Sequence, residues 1–466
     1  MSTVFSAFPE VQAIIQEGLL ESRLLQALYP SLRYRNAFTQ MPWLNKASSA
    51  YVTRKGDAVP NLTRFATRTD PTPMTITDEQ FLVEIGPYFP YTGDFSGFES
   101  GLSIAADLVD QVTRAGRAGA KGLDRLSRNK LFNAALAGQT LCSAAVNNST
   151  TVPVQDINGF GIKFNGVTQF VAATVAAPQA VYFWTGAAFE KKFVTAVTPT
   201  TPGLTYGPGT LTISVAGTYL TKTPVIAESA STIFRSGGGY GIDDVGSTDI
   251  ITINDVMLAV SELETRNVPK FPDGTYHAFI GPKAKYQLFQ DSTFELLERG
   301  RGAEGSLYGG FTINKVAGCT FFETSEAPNS STVPTVAANK GIWSAPLVNT
   351  TSIPIERTII CGDDFAFEYS KVVDAQNNGK NGTITNNVVA MPNGVTVNTD
   401  NLSLILRWPI DRNQDVTSVN LKFEGDHVCS TDYLAGGAPA SLLVPDGVTT
   451  PSAAYKRAVV IEHSGV

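Results

Sequence analysis

Side chains able to do acid–base, nucleophilic or metal chemistry are few and scattered in this chain of 466 residues. The three histidines, His277, His427 and His463, lie on separate segments. His277 falls in the apolar run YHAFIGP, where a satisfied core histidine is the simpler reading than a metal or proton-transfer site. Cys142, Cys319, Cys361 and Cys429 form no CxxC, so buried free thiols are expected rather than a disulfide framework. Asp363-Asp364 could lend two carboxylates to a cation, but no third ligand follows from spacing, and a solvated or capping pair explains them better. Gly237-Gly238-Gly239-Tyr240-Gly241 does not run from a predicted strand into the helix of a βαβ unit, so it reads as a flexible joint and not as a phosphate cradle. HExxH, GxSxG, GxxxxGK[ST] and DxDxDG are absent. Arg299, Arg301 and Glu304, in a glycine-rich turn, can pair across an interface or end in solvent. No catalytic residue, cofactor-binding residue or metal ligand is predicted, and the expectation is a protein that is not an enzyme and carries no cofactor.

The remaining chemistry is charge. Arg114, Arg117, Lys121, Arg125 and Arg128 recur at helical spacing, with Lys130 beyond them and only Asp110 and Asp124 opposed. A solvated helix face explains such a strip, and so does a cationic surface that lies on phosphates. The net charge of −7 argues against a general nucleic-acid binder and leaves a local strip open.

The element that must carry this strip is Ser96 to Gly138. Its apolar residues recur every three or four positions without proline, which predicts a helix roughly 60 Å long, capped by Asp94 or Ser96. Gly116, Gly119 and Gly122 inside it cost helix stability and predict a bend or break. Upstream, Val11, Ile14, Ile15, Leu19, Leu24 and Leu28 form one stripe of an amphipathic helix whose face has no partner nearby in sequence. Trp43 is the expected anchor of the extended segment that follows. Residues 49–93 read as two long extended segments, AYVTRKGDAVP and MTITDEQFLVEIGPYFPYT, forming a projecting β-hairpin arm, because two strands alone are marginal in water.

After the long helix the composition shifts. Residues 146–236 hold short β-like pieces punctuated by turn residues, the pattern of a small sandwich or barrel inserted into a host domain. Residues 252–268 and 283–298 read as helices, and YHAFIGP, FTINKVAGCTFFETS, RTIICGDDFAFEYSKVV, NLSLILRWPI and DVTSVNLKFEGDHVC as strands, an α+β pattern. KRAVVIEHSGV closes as a strand returning to an earlier sheet. With 43% hydrophobic and 17% charged residues, much of the surface is expected to be buried against something else, including copies of the same chain. Neither a signal peptide nor a membrane span is predicted.

The run ITINDVMLAVSELETRNVPKFPDGTYHAFIGPKAKYQLFQDSTFELL, followed by GGFTINKVAGCTFFETSEAP, resembles the major capsid proteins of tailed bacteriophages, the N4-like group above all. RYRNAF, RKGD, RNKLFNAALAG and the closing RAVVIEH are similar to the same group. The resemblance implies the α+β Hong Kong 97-type capsid fold. Residues 1–48 would be its N-terminal arm, 49–95 its extended loop and 96–145 its spine helix and peripheral domain. Residues 146–236 would be an inserted all-β domain, 247–454 the axial domain with peripheral strands, and 455–466 a strand returning to the peripheral domain. It further implies hexamers and pentamers closing an icosahedral shell around the genome of a double-stranded DNA phage. The chain would be a virion component assembled in the host cytoplasm, with portal, scaffolding and decoration proteins as further partners and no membrane. The arm stripe, together with Arg54, Lys55, Phe81, Val83, Tyr88 and Phe89, would meet neighbouring subunits, and Arg114, Arg117, Lys121, Arg125 and Arg128 would face packaged DNA. Lys55 near the loop tip cross-links in some members of the wider fold family; non-covalent contacts are expected here. The alternatives are another self-associating virion or surface-layer protein, and a β-rich polysaccharide hydrolase, which needs two carboxylates on facing strands about 5–10 Å apart.

Overall fold

A computed structural model describes residues 32–43, 47–55, 78–96, 104–160, 162–165, 168–176, 178–204, 206–228, 230–299, 315–329, 349, 351–370, 383–385, 388–391, 394–399, 402–407, 416–429, 432–433, 453–454 and 457–466. The amphipathic stripe from Val11 to Leu28 lies outside them.

In chain order, a 3-10 turn at Tyr34–Ala37 leads into β1 (Phe38–Pro42), and β2 (Ser49–Lys55) pairs with β3 (Asp78–Glu84) as a two-stranded ribbon. β4 (Gly86–Ser96) follows after Ile85 and joins a different sheet, so the second half of the expected hairpin is two strands with different partners. The helix α1 (Ile104–Ala135) has 32 residues, about 48 Å at the usual rise. It is shorter than expected because Asp94 and Ser96 belong to β4 and cannot cap it. Nine strands come next: β5 (Gln139–Leu141), β6 (Val146–Val154), β7 (Ile162–Asn165), β8 (Thr168–Ala172), β9 (Gln179–Trp184), β10 (Phe189–Pro199), β11 (Gly209–Tyr219), β12 (Pro224–Ala227) and β13 (Thr232–Arg235). Then come α2 (Ile253–Thr265), β14 (Tyr276–Ile280), α3 (Pro282–Gln290), α4 (Ser292–Arg299), β15 (Lys315–Val316), β16 (Cys319–Glu323), β17 (Ile355–Cys361) and β18 (Ala366–Ser370). The last strands are β19 (Thr383–Thr385), β20 (Val388–Met391), β21 (Gly394–Thr399), β22 (Leu402–Arg407), β23 (Val416–Cys429), β24 (Asp432–Tyr433), β25 (Ala453–Ala454) and β26 (Ala458–Ser464).

The chain divides into two compact units of interleaved segments. The first takes residues 1–50, 83–128 and 367–428. Its eight-stranded sheet has the order β1-β18-β23-β22-β21-β20-β19, with β4 also paired to β23. Leu404 pairs with Leu421 and Leu406 with Val419, and all four are buried. α1 turns Val112, Ala115, Gly119 and Leu123 inward, one helical stripe. Gly119 and Gly122 are the points of closest approach: a Cβ at Gly119 would run into the Leu421 side chain, and one at Gly122 would come to 3.0 Å from the Cβ of Pro90. The helix continues through both glycines without the expected break, and both glycines set a packing distance. Gly119→Leu should therefore destabilise this unit by about 1–3 kcal/mol through overpacking, while Ala118→Leu, on the exposed side, should stay within about 0.5 kcal/mol; urea unfolding midpoints check both. Trp43 does anchor its segment: it is buried, its indole N–H donates to the Ala47 carbonyl at 3.0 Å and its ring meets Tyr369 edge-on.

The second unit takes residues 51–82, 129–366 and 429–466 and holds two six-stranded sheets. One has the order β5-β12-β9-β10-β11-β6, all antiparallel. Its outer strands meet: a Cys142–Val154 bridge and the bonds from Ser143 N to Pro153 O and from Gln155 N to Leu141 O close the sheet on itself. The alternating residues Val152/Val154, Val181/Phe183 and Leu211/Ile213 fill it, with Phe183 stacked on Tyr219 at 4.2 Å. These strands span Gln139 to Ala227, so the β-rich stretch starts before residue 146. It ends before Thr232, because β13 belongs to the other sheet.

That other sheet has the order β13-β26-β17-β14-β16-β15. The C-terminal strand β26 lies inside it, parallel to β13 and antiparallel to β17, and not in the sheet of the first unit, which carries most of α1. Val256, Val260 and Leu263 of α2 and Ala284 and Leu288 of α3 share one core with its apolar strands. A reciprocal Thr252–Asp255 capping box starts α2. The helix expected over 283–298 is two, because Asp291 turns extended and its carboxylate accepts from Ile253 N and Thr293 N at 2.8 Å each. Gly237, Gly238 and Gly239 all have positive φ, which favours glycine, and the Gly238 N–H donates to the Arg235 carbonyl at 2.9 Å.

Candidate assembly and nucleic-acid surfaces

Arg114, Arg117, Lys121 and Arg125 are exposed and follow each other by three or four residues along one face of α1. Asp110 shares that face and pairs with Arg114 at 2.8 Å. Arg128 departs from the strip. Its angular position on the helix matches, but it is only 2% exposed. Spacing along one helix cannot reveal that the same face is covered further on. Asp124 is likewise buried and accepts from Tyr34 N at 2.7 Å, which fastens the segment before β1 to the helix.

The expected inter-subunit residues divide in the same way. Phe89 is 54% exposed, whereas Tyr88, its neighbour on β4, is half-buried against Phe423 and donates weakly to Asp426 at 3.4 Å. Strand alternation produces this opposition. Val83 is fully buried within the chain and is not available to a neighbour. Arg54, Lys55 and Phe81 sit in the β2/β3 ribbon, and their side chains, with Val11, Ile14, Ile15, Leu19, Leu24 and Leu28, lie outside the described residues. Tyr51 on the same ribbon is 56% exposed.

Among the described residues the groups with catalytic potential meet at one place, His427 with Ser127 and Glu368, where both partners lie against the same ring nitrogen. His277 stacks on Phe271 with ring centroids 3.6 Å apart, His463 is buried with its pKa pushed down to about 4 by desolvation, and His427 lies against Ser127 and Glu368. All four cysteines are free and buried, and burial pushes the thiols of Cys142 and Cys319 up to about 12. Asp363 and Asp364 form a turn braced by Arg457. Among the described residues no group of three or more His, Cys, Asp or Glu could hold a metal, and no helix is long and apolar enough to cross a membrane. Beside the glycine turn, Asp244 already accepts from Tyr240 N and Gly241 N at 2.9 Å each, so the chain's own carboxylate fills the place an anion would need.

Sequence reasoning missed the buried ion clusters. Arg235, Glu462 and Arg357 stand in register across β13, β26 and β17, with ion-pair distances of 3.0 and 2.9 Å, all nearly inaccessible to water. Burial alone would raise the Glu462 carboxyl, but the two guanidiniums outweigh it and lower the pKa. In the first unit Arg35 grips Glu368 with two 2.7 Å bonds; against the rise from burial, His427 and Arg35 hold that carboxyl down to about 2. The available signal was a charge inside an otherwise apolar strand, as in IERTIIC and AVVIEHS.

Glu356 is the opposite case. It is fully buried and accepts from Ala284 N at 3.2 Å in the first turn of α3, and burial pushes it up to about 7. Because the folded pKa lies above the ordinary 4.5, stability is fully present below about pH 4.5 and is lost as pH rises through 7. Asp156, pushed up to about 6 by burial, acts in the same direction. Glu356→Gln keeps the acceptor without the charge. It should stabilise the protein by roughly 2–3 kcal/mol at pH 8 and by almost nothing at pH 4.5, read from unfolding midpoints at the two pH values.

No protein-family profile and no curated protein sequence matches the chain. Among solved structures it is similar to the capsid of cyanophage P-SCSP1u, at 12% identity and a TM-score of 0.45, over 91% of this chain and 86% of that one. It is also similar to the capsid asymmetric unit of cyanophage Pam1, at 9% identity and a TM-score of 0.46, over 94% and 92%. The capsid of Ralstonia phage GP4 is similar at 9% identity and a TM-score of 0.45, over 92% and 87%.

Proposed function

We propose that this chain is the major capsid protein of a tailed double-stranded DNA bacteriophage of the N4-like group, with the Hong Kong 97-type fold. The observation that carries the reading is the order of elements along the chain: a two-stranded ribbon, a 32-residue helix on a sheet, then a mixed sheet with helices. That is the order the sequence resemblance implies. On this reading residues 1–48 are the arm, the β2/β3 ribbon is the extended loop and α1 is the spine. The first unit corresponds to the peripheral domain. The sheet of β14, β16, β17 and β26 is the axial core. The closed sheet from Gln139 to Ala227 is an inserted all-β domain.

The chain works mechanically. Heterologous contacts build hexamers and pentamers, and their closure gives an icosahedral shell, assembled in the host cytoplasm and kept in the virion. Exposed aromatic rings such as Tyr51 and Phe89 supply apolar area that only a neighbour can bury. Arg114, Arg117, Lys121 and Arg125 bind phosphates of packaged DNA without sequence preference. Portal, scaffolding and decoration proteins are the further partners. Sedimentation velocity of the purified chain tests self-association: pentamers, hexamers or larger closed particles are expected, and Phe89→Asp should shift them toward monomer. A wild-type chain that stays monomeric over a wide concentration range, also with its phage's scaffolding protein added, contradicts the reading.

A further inference from the structure

We propose that the groove beside the closed sheet, between the end of β9, the β11–β12 turn and the Tyr240–Asp244 turn, binds a neutral oligosaccharide. The groove holds about 480 Å3, within the range of small-molecule sites. One wall is aromatic. The rings of Trp184 and Tyr240 lie 5.0 Å apart, and Phe189 backs both at 4.8 and 5.2 Å. Another part of the lining is polar: Lys222 pairs with Asp243 at 3.6 Å, and Asp244 is fixed by the two backbone bonds it accepts. Leu220, 77% exposed, stands in the same lining.

A pyranose has this pair of properties. Its faces carry C–H bonds, which the negative face of an aromatic ring attracts, and its rim carries hydroxyls. A hydroxyl can donate to a carboxylate and accept from an ammonium at once, so the Lys222–Asp243 pair stays satisfied when water leaves. The other ligand classes fit less well. A phosphorylated ligand meets two carboxylates against one lysine. An apolar segment would strip water from the ion pair and offer it nothing in return.

Saturation-transfer NMR on the full chain with maltohexaose, cellohexaose and chitohexaose tests the proposal. Saturable transfer to at least one of them is expected, with a Kd on the order of 1 mM. Trp184→Ala should abolish it. Lys222→Ala, at an exposed position, should weaken it about tenfold with an unchanged melting temperature, and it decides the matter if the tryptophan variant does not fold. Absence of transfer to all three sugars, or transfer unchanged in both variants, overturns the proposal.

Discussion

Glu462→Gln is expected to cost the second unit about 3–5 kcal/mol. The substitution leaves Arg235 and Arg357, 6% and 2% exposed, facing each other without the carboxylate that neutralises both. Three strands meet at this row: β26 is central, with Arg235 opposite it on one side and Arg357 on the other. The loss reflects two stranded charges, not the worth of the cluster. Replacing all three residues together by Leu or Met should therefore come far closer to neutral than the single change. The pH dependence has a sign. The folded pKa of Glu462 is lowered, so its contribution is present above the ordinary carboxylate range and is lost as pH falls through the folded value. Equilibrium urea unfolding at neutral pH, followed by tryptophan fluorescence, measures the single and the triple variant. A loss below about 1 kcal/mol for Glu462→Gln would show that water reaches the cluster.

The second large effect concerns the strip on α1. If Arg114, Arg117, Lys121 and Arg125 lie on phosphates, replacing all four by glutamine should flatten the dependence of log affinity on log salt by about 0.9 for each phosphate that is no longer neutralised. Binding of a labelled duplex, followed by anisotropy over a series of salt concentrations, reads this directly. Arg128→Gln supplies the internal contrast. Because Arg128 is buried, it should leave the salt slope unchanged and lower the melting temperature instead. A slope unmoved by the fourfold change would return the strip to an ordinary solvated helix face.

What the sequence made legible was local. The apolar period of three and four located α1 and α2, and the turn spacing after residue 146 marked a run of short strands. Three kinds of information were not local. Gly119 and Gly122 read as weak points in a lone helix, and only a neighbouring sheet turns them into sites of close packing. The pairing of β13 with β26 joins residues more than two hundred positions apart, so neither the end of the β-rich stretch nor the place of the C-terminal strand could be read from composition. The burial of Arg128, Arg357 and Glu462 depends on what covers them. Charge type alone argued for solvent, and the apolar residues flanking Arg357 and Glu462 were the only hint against it. For the assembly surfaces the alternation along β4 correctly separates two ring types in principle, yet which of Tyr88 and Phe89 faces out depends on β23 pairing at Phe423.

Negative-stain electron microscopy of the purified chain tests the proposed function most directly. Closed shells, or rings of five and six copies, are expected, alone or with the scaffolding protein of its phage. Single compact particles under every condition, with no rings and no shells, would contradict a capsid role and send attention back to the groove beside Trp184 as the working part of the molecule.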